Sequence, residues 1–194
     1  MNRARPSNFV IILILGALST ISPMSIDMYL PAFPKIASDL HTTQAELSLS
    51  LSSYFIGLAL GQLIYGPLLD RFGRKLPLYV GLMIFFGSSF FCMFAPTMKW
   101  LLIFRCVQAL GGCAAQVAAM AMVRDFFPAK DAAKIISMLI LILGVSPLLA
   151  PSIGTYVATE WGWRCVFVAL AALSFLVFGA VFLFLPEGDR KSVV

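Results

Sequence analysis

The sequence predicts an all-α membrane protein of six transmembrane helices, and three observations carry that reading. Six long apolar runs occupy most of the 194 residues. Composition agrees: 60% hydrophobic, 12% charged, mean hydropathy +0.94. A soluble domain would carry about twice that share of charge. Finally, the connections between runs are too short to hold a folded domain of their own. The whole chain, 1–194, thus reads as one six-helix transmembrane domain.

The spans fall at about Phe9–Leu30, Glu46–Leu69, Leu76–Ala95, Lys99–Val123, Ile135–Ala158 and Cys165–Leu185. Each reaches the roughly 20 residues that a hydrocarbon core of ~30 Å requires. The first follows Arg3 and Arg5 and imitates a secretory signal. With five further spans behind it, it reads as an uncleaved helix. Thr43-x-x-Glu46 predicts a capping box at the start of the second. Pro77 opens the third, Pro96 and Thr97 precede the fourth, and Pro128 breaks the chain after it. The fifth holds Gly144, Pro147, Pro151 and Gly154, which favour a bend. Loops are expected at about Pro31–Ala45 and Arg124–Lys134, and the chain turns polar from Pro186.

Small residues mark the helix contacts. Ser50, Ser53, Gly57 and Gly61 form a stripe on the second span, and Gly111, Gly112, Ala115, Ala118 and Ala119 on the fourth. Such stripes let backbones approach where lipid offers no hydrophobic drive for association.

Orientation follows from basic residues. With a cytoplasmic N-terminus the inner segments hold ten: Arg3, Arg5, Arg71, Arg74, Lys75, Arg124, Lys130, Lys134, Arg190 and Lys191. The outer segments hold three, Lys35, Lys99 and Arg164. That bias places both termini in the cytoplasm. The net charge of +5 is a topology signal and implies no nucleic-acid partner.

Enzyme and metal chemistry find little support. His41 is the single histidine and falls in an outer loop. Cys92, Cys106, Cys113 and Cys165 lie in spans without a C-x-x-C pair or an accompanying histidine. They read as small packing residues.

Two charges lie within the spans. Asp27 is near the outer end of the first, and Arg105 is six positions into the inward-running fourth, ~8 Å from its outer end. They share a depth. Either each snorkels to the outer interface, or a protonatable carboxylate faces a cationic partner in a central cavity.

The stretch Gly66-Pro67-Leu68-Leu69-Asp70-Arg71-Phe72-Gly73-Arg74-Lys75 resembles the G-x-L-(A/S)-D-R-x-G-R-(R/K) signature between helices two and three of the major facilitator superfamily. Its glycines are expected to permit a tight turn, and Asp70, Arg71 and Arg74 to latch helix ends. Asp27-Met28-Tyr29-Leu30-Pro31-Ala32-Phe33-Pro34 resembles the end of the first helix in the Bcr/CflA drug-resistance branch. Arg105-Cys106-Val107-Gln108 is similar to the fourth-helix R-x-x-Q-G motif, with Ala109 replacing glycine. Ala150-Pro151-Ser152-Ile153-Gly154-Thr155 is similar to the fifth-helix G-P-x-x-G-G antiporter motif, departing at Ala150 and Thr155.

The resemblance implies the N-terminal half of a twelve-helix fold, built as a three-plus-three inverted repeat. It implies proton-coupled export of drugs or small metabolites across a bacterial inner membrane, with a proton gradient in place of a cofactor. It assigns proton and substrate binding to Asp27 and Arg105, and a latch contact to Arg74 with Asp125. Within the chain the repeat shows only as Gly-Pro…Phe-Gly-Arg in the second span, echoed with altered spacing by Ala-Pro…Trp-Gly-Trp-Arg in the fifth. Six helices supply one of the two bundles that alternating access requires. The 194-residue chain is therefore expected not to transport alone, being a truncated product or one that works by pairing with a second half or with itself.

Overall fold

The computed structural model describes residues 7–185; Arg3, Arg5, Arg190, Lys191 and the polar stretch from Pro186 lie outside them. Its helices are α1 (Asn8–Asp27), α2 (Phe33–Asp39), α3 (Gln44–Phe72), α4 (Lys75–Met93), α5 (Met98–Phe126), α6 (Ala129–Glu160) and α7 (Arg164–Phe184). Six helical segments are long and apolar enough to cross a membrane, the first being α1 together with its continuation through α2.

Helix ends follow the local chemistry. The Ser7 hydroxyl accepts from Val10 N at α1. The Thr43–Glu46 capping box forms, with Glu46 N donating to Thr43 Oγ1 at 3.1 Å and Thr43 N to Glu46 Oε2 at 3.0 Å. Glycines at φ 84° (Gly73) and 88° (Gly162) turn the chain from α3 into α4 and from α6 into α7.

The helices overrun the expected spans. Both inner connections shrink to two residues, Gly73–Arg74 and Phe127–Pro128, because the polar ends of α3, α5 and α6 stay helical beyond the apolar stretches. The expected outer loop from Pro31 is instead a short 3-10 turn, Leu30–Ala32, and then α2. Pro31 and Pro34 fall in the first turns of these helices, where a missing N–H costs nothing, and Ala32 and Ile36 are buried against the bundle. Helix α6 passes through Pro147 and Pro151 as one continuous element.

The packing pattern carries the inverted repeat that the sequence barely showed. Within the first three spans and the fourth, α3 and α4 pack on α5; correspondingly, α6 and α7 pack on α1. The pairs α1–α5 and α4–α7 close the bundle. Exchanging spans one to three for four to six leaves this pattern unchanged. Successive spans alternate in direction, so the related spans one and four run oppositely.

Close approach depends on small residues. A Cβ on Gly57 would run into the carbonyl oxygen of Cys106 and lie 2.8 Å from Ala109 Cβ. One on Gly111 would collide with Phe85 N and lie 2.6 Å from the Gly81 oxygen. Fully buried Cys113 fits against Gly61, the small-residue role its neighbourhood implied. Gly57→Val is therefore expected to lower stability by about 1–3 kcal/mol through overpacking. Thermal melting of the detergent-solubilised chain checks this, and an unchanged midpoint would contradict the contact.

Candidate functional site

Arg105 is completely buried, in the second turn of α5. A guanidinium that stays charged needs its desolvation offset by hydrogen bonds and by polarisable faces. Both are present. Arg105 Nη1 donates to Ser25 Oγ at 2.8 Å and to Gln108 Oε1 at 2.6 Å. The guanidinium carbon lies 4.4 Å from the Tyr29 ring centre and 4.3 Å from that of Tyr54, with Phe167 farther out at 6.0 Å. Cation–π contacts of this kind contribute about 2 kcal/mol or more when desolvated.

A second layer of hydrogen bonds fixes the cage. Gln108 Nε2 donates to Ser89 Oγ at 2.7 Å. The Tyr29 and Ser50 hydroxyls share a bond of 2.8 Å. Five helices thus converge on one cation: α1 through Ser25 (with Tyr29 just past its end), α3 through Ser50 and Tyr54, α4 through Ser89, α5 through Gln108, and α7 through Phe167. Arg105 Nε and Nη2 have no hydrogen-bond partner among the described residues.

Asp27 is not part of this cage, which corrects the expectation of a carboxylate facing Arg105. It is half-buried and makes no hydrogen bond or ion pair among the described residues. The reason is helical geometry. Ser25 faces Arg105 from α1, and at ~100° per residue Asp27, two positions on, points nearly the opposite way. Arg105 meets Ser25 and Tyr29, two positions before and two after Asp27. Asp27 instead continues the stripe of Thr20 and Met24, which line an apolar cleft of about 340 Å³ between α1 and α6. Leu141, Val145, Leu149 and the buried, unpartnered hydroxyl of Ser146 form its other wall.

At the inner end, Arg74 Nε donates to Asp125 Oδ2 at 2.8 Å and Nη1 to Asp70 Oδ1 at 2.8 Å. These two carboxylates, Asp125 foremost, raise the Arg74 pKa above its ordinary value. The contact joins the α3–α4 turn to the end of α5, as the resemblance implied. Arg71 lies over the Phe72 ring, 5.4 Å from its centre. Of the two motif glycines only Gly73 makes the turn; Gly66 lies inside α3, seven positions earlier, with no close neighbour to exclude a side chain. In the fifth-span motif, Gly154 admits the backbone of Met28, whose Cα would be 2.7 Å from an added Cβ. Pro147 is exposed and Pro151 half-buried on the same helix.

Sequence reasoning missed most of the cage. Tyr29 and Gln108 lay inside quoted motifs without a role, and Ser25, Ser89, Tyr54 and Phe167 were unmarked. The available signal was spacing: Gln108 stands three residues from Arg105, on one face of α5.

An inverted-repeat bundle of six apolar helices around a buried cation defines a multi-pass α-helical membrane protein. The Major Facilitator Superfamily model matches residues 15–194, and the chain belongs to that family. It is 37% identical over 179 residues to the Uncharacterized MFS-type transporter YdgK of Bacillus subtilis, covering 90% of this chain and 44% of that protein. It is 34% identical over 191 residues to the Bicyclomycin resistance protein homolog of Haemophilus influenzae, covering 98% of this chain and 48% of that one. The fold superposes on the proton:xylose symporter XylE with a TM-score of 0.82 at 17% identity, covering 93% of this chain and 45% of that one. The chain spans about half the length of the relatives it matches.

Two outcomes follow from the site. Gln108→Leu removes an acceptor from a buried guanidinium and is expected to cost about 2 kcal/mol, whereas Asp27→Asn, losing no partner, should shift stability by less than about 0.5 kcal/mol. Parallel melting curves check both, and equal losses would overturn the assignment of Asp27 outside the cage. At the inner surface, Asp125→Asn is expected to cost no more than about 1 kcal/mol, since that ion pair is partly exposed. A larger loss of melting stability would show the pair to be more than a surface contact.

Proposed function

We propose that the chain forms one six-helix half of a proton-coupled exporter of drugs or small metabolites. The observation that carries this reading is the half-buried Asp27, which has no ion-pair partner among the described residues and lies on the same helix as Thr20 and Met24 of the apolar cleft. A carboxylate in such a place is held ionised by no neighbour, so proton binding and binding of a cationic or polar group compete for it. The cleft walls, apolar and adaptable, suit varied small molecules. The name of the Haemophilus influenzae relative, a bicyclomycin resistance protein homolog, supports a drug among the substrates.

The membrane is the bacterial inner membrane, with both termini cytoplasmic. The inner turns carry Arg71, Arg74, Lys75, Arg124, Lys130 and Lys134, against Lys35, Lys99 and Arg164 outside, and the relatives described are bacterial. Transport by alternating access takes two bundles rocking about a site between them, so a second six-helix half, or a second copy of this chain, completes the transporter. The alternative is a six-helix bundle that does not itself transport.

Proteoliposomes with an imposed pH gradient separate these readings. The chain alone is expected to move no cationic dye. Assembled with a second six-helix half, it should give saturable, gradient-driven transport that Asp27→Asn reduces at least about tenfold while insertion is unaffected. Unchanged pH-dependent transport in that variant would remove Asp27 from coupling.

A further inference from the structure

The outer surface carries a cluster that neither the motifs nor the comparisons assign. Asp39, at the end of α2, accepts from Trp163 Nε1 at 2.8 Å and from Arg164 Nη1 at 3.0 Å. Trp163 is buried at 3% exposure, and the Arg164 guanidinium stacks over its ring with 4.3 Å to the centre. One turn earlier on α2, Lys35 Nζ donates to the carbonyls of Ala158 at 2.7 Å and Thr159 at 3.3 Å. A cation there satisfies the free carbonyl end of α6 and opposes its dipole.

This arrangement repeats the inner one. Exchanging spans one to three for four to six carries the α3–α4 turn onto the α6–α7 turn. It also carries the end of the fourth span onto the helical extension of the first. Each turn has a glycine at positive φ, Gly73 at 84° and Gly162 at 88°. Each glycine is followed by an arginine, Arg74 or Arg164, that bonds a carboxylate at the end of the corresponding helix, Asp125 or Asp39. The outer copy has one extra residue, Trp163, between its glycine and its arginine. That residue extends the contact inward. Trp163 meets Phe167 edge-on at 6.2 Å, Phe167 meets Tyr29 at 5.7 Å, and Tyr29 covers Arg105.

We propose that Asp39, Trp163 and Arg164 form an outer clamp, the inverted-repeat counterpart of the Arg74–Asp125 contact. It fastens the extension of the first span to the start of the sixth and holds the outer rim of the Arg105 cage. Asp39 and Arg164 act as positioning residues, through Trp163, and the clamp operates whether or not the chain transports.

Hydrogen–deuterium exchange of the full chain in lipid nanodiscs tests this without any transport readout. In Asp39→Asn, amides of 33–43 and 161–168 are expected to exchange about fivefold faster, while those of 70–76 and 124–128 change by less than about twofold. Asp125→Asn should give the reverse pattern, and Asp39→Glu should keep the outer protection. If Asp39→Asn does not fold, Trp163→Phe, which keeps an aromatic ring but loses the indole N–H, should still speed exchange in 161–168. Unchanged outer exchange, equal loosening at both faces, or an Asp39→Glu chain as unprotected as Asp39→Asn would each overturn the clamp.

Discussion

The bundle is organised around a buried guanidinium that no carboxylate among the described residues pairs with. Burial of a lone charge in a low-dielectric interior is prohibitive unless its solvation is replaced. Around Arg105 the replacement consists of two hydrogen bonds from Nη1 and a sandwich between Tyr29 and Tyr54. Every contributor comes from a different position along the chain, so the cage exists only when five helices are correctly placed. A network of this kind specifies register as much as it stabilises, because a shift by one residue on any helix would remove a partner.

That register is possible only because the surrounding backbones lie very close. Buried Ala109, Ala115, Ala118 and Ala119 sheathe α5, with Gly111 and Gly112 on the same helix, and α3 presents Gly57 and Gly61 to it. Larger side chains would push α3 outward and carry Tyr54 away from the cation. The small-residue stripes and the cage are therefore one design: the former sets the interhelical distance that the latter needs. By contrast, α3 and α6 turn large apolar residues such as Phe55, Leu63, Leu141 and Leu148 outward. Those surfaces are satisfied by lipid or by another apolar bundle, not by water.

Much of this was legible in the sequence. The six spans, the Thr43–Glu46 cap, the close-packing stripes and the inner Arg74–Asp125 contact all rest on composition, periodicity or motif, which local sequence records directly. The relation of Asp27 to Arg105 was not legible, because depth along a helix fixes height but not azimuth. Counting residues set both charges at one level; only the assignment of Ser25 to the facing surface shows that Asp27 points away. The helical course of Leu30–Asp39 departs from the loop expected from Pro31, because Pro31 and Pro34 sit in first turns, which tolerate proline. The inverted repeat survives in packing and in the two glycine turns, where geometry is demanded, and has faded from residue identities elsewhere.

The energetic scale of the terminal contacts bears on how such a half could move. The cage and the glycine contacts are buried and strong, so the six helices behave as one body. The Arg74–Asp125 and Arg164–Asp39 pairs are partly exposed, at 25%/28% and 48%/48% of their side chains. Each is then worth about 0–1 kcal/mol. Contacts that weak add little to folding. They are, however, of the size that shifts a balance between two arrangements of comparable energy without locking either. Placing strong interactions in the middle and weak ionic ones at both ends gives a rigid core with adjustable rims. That division is what a bundle requires if it is to rock against a partner without losing its own packing.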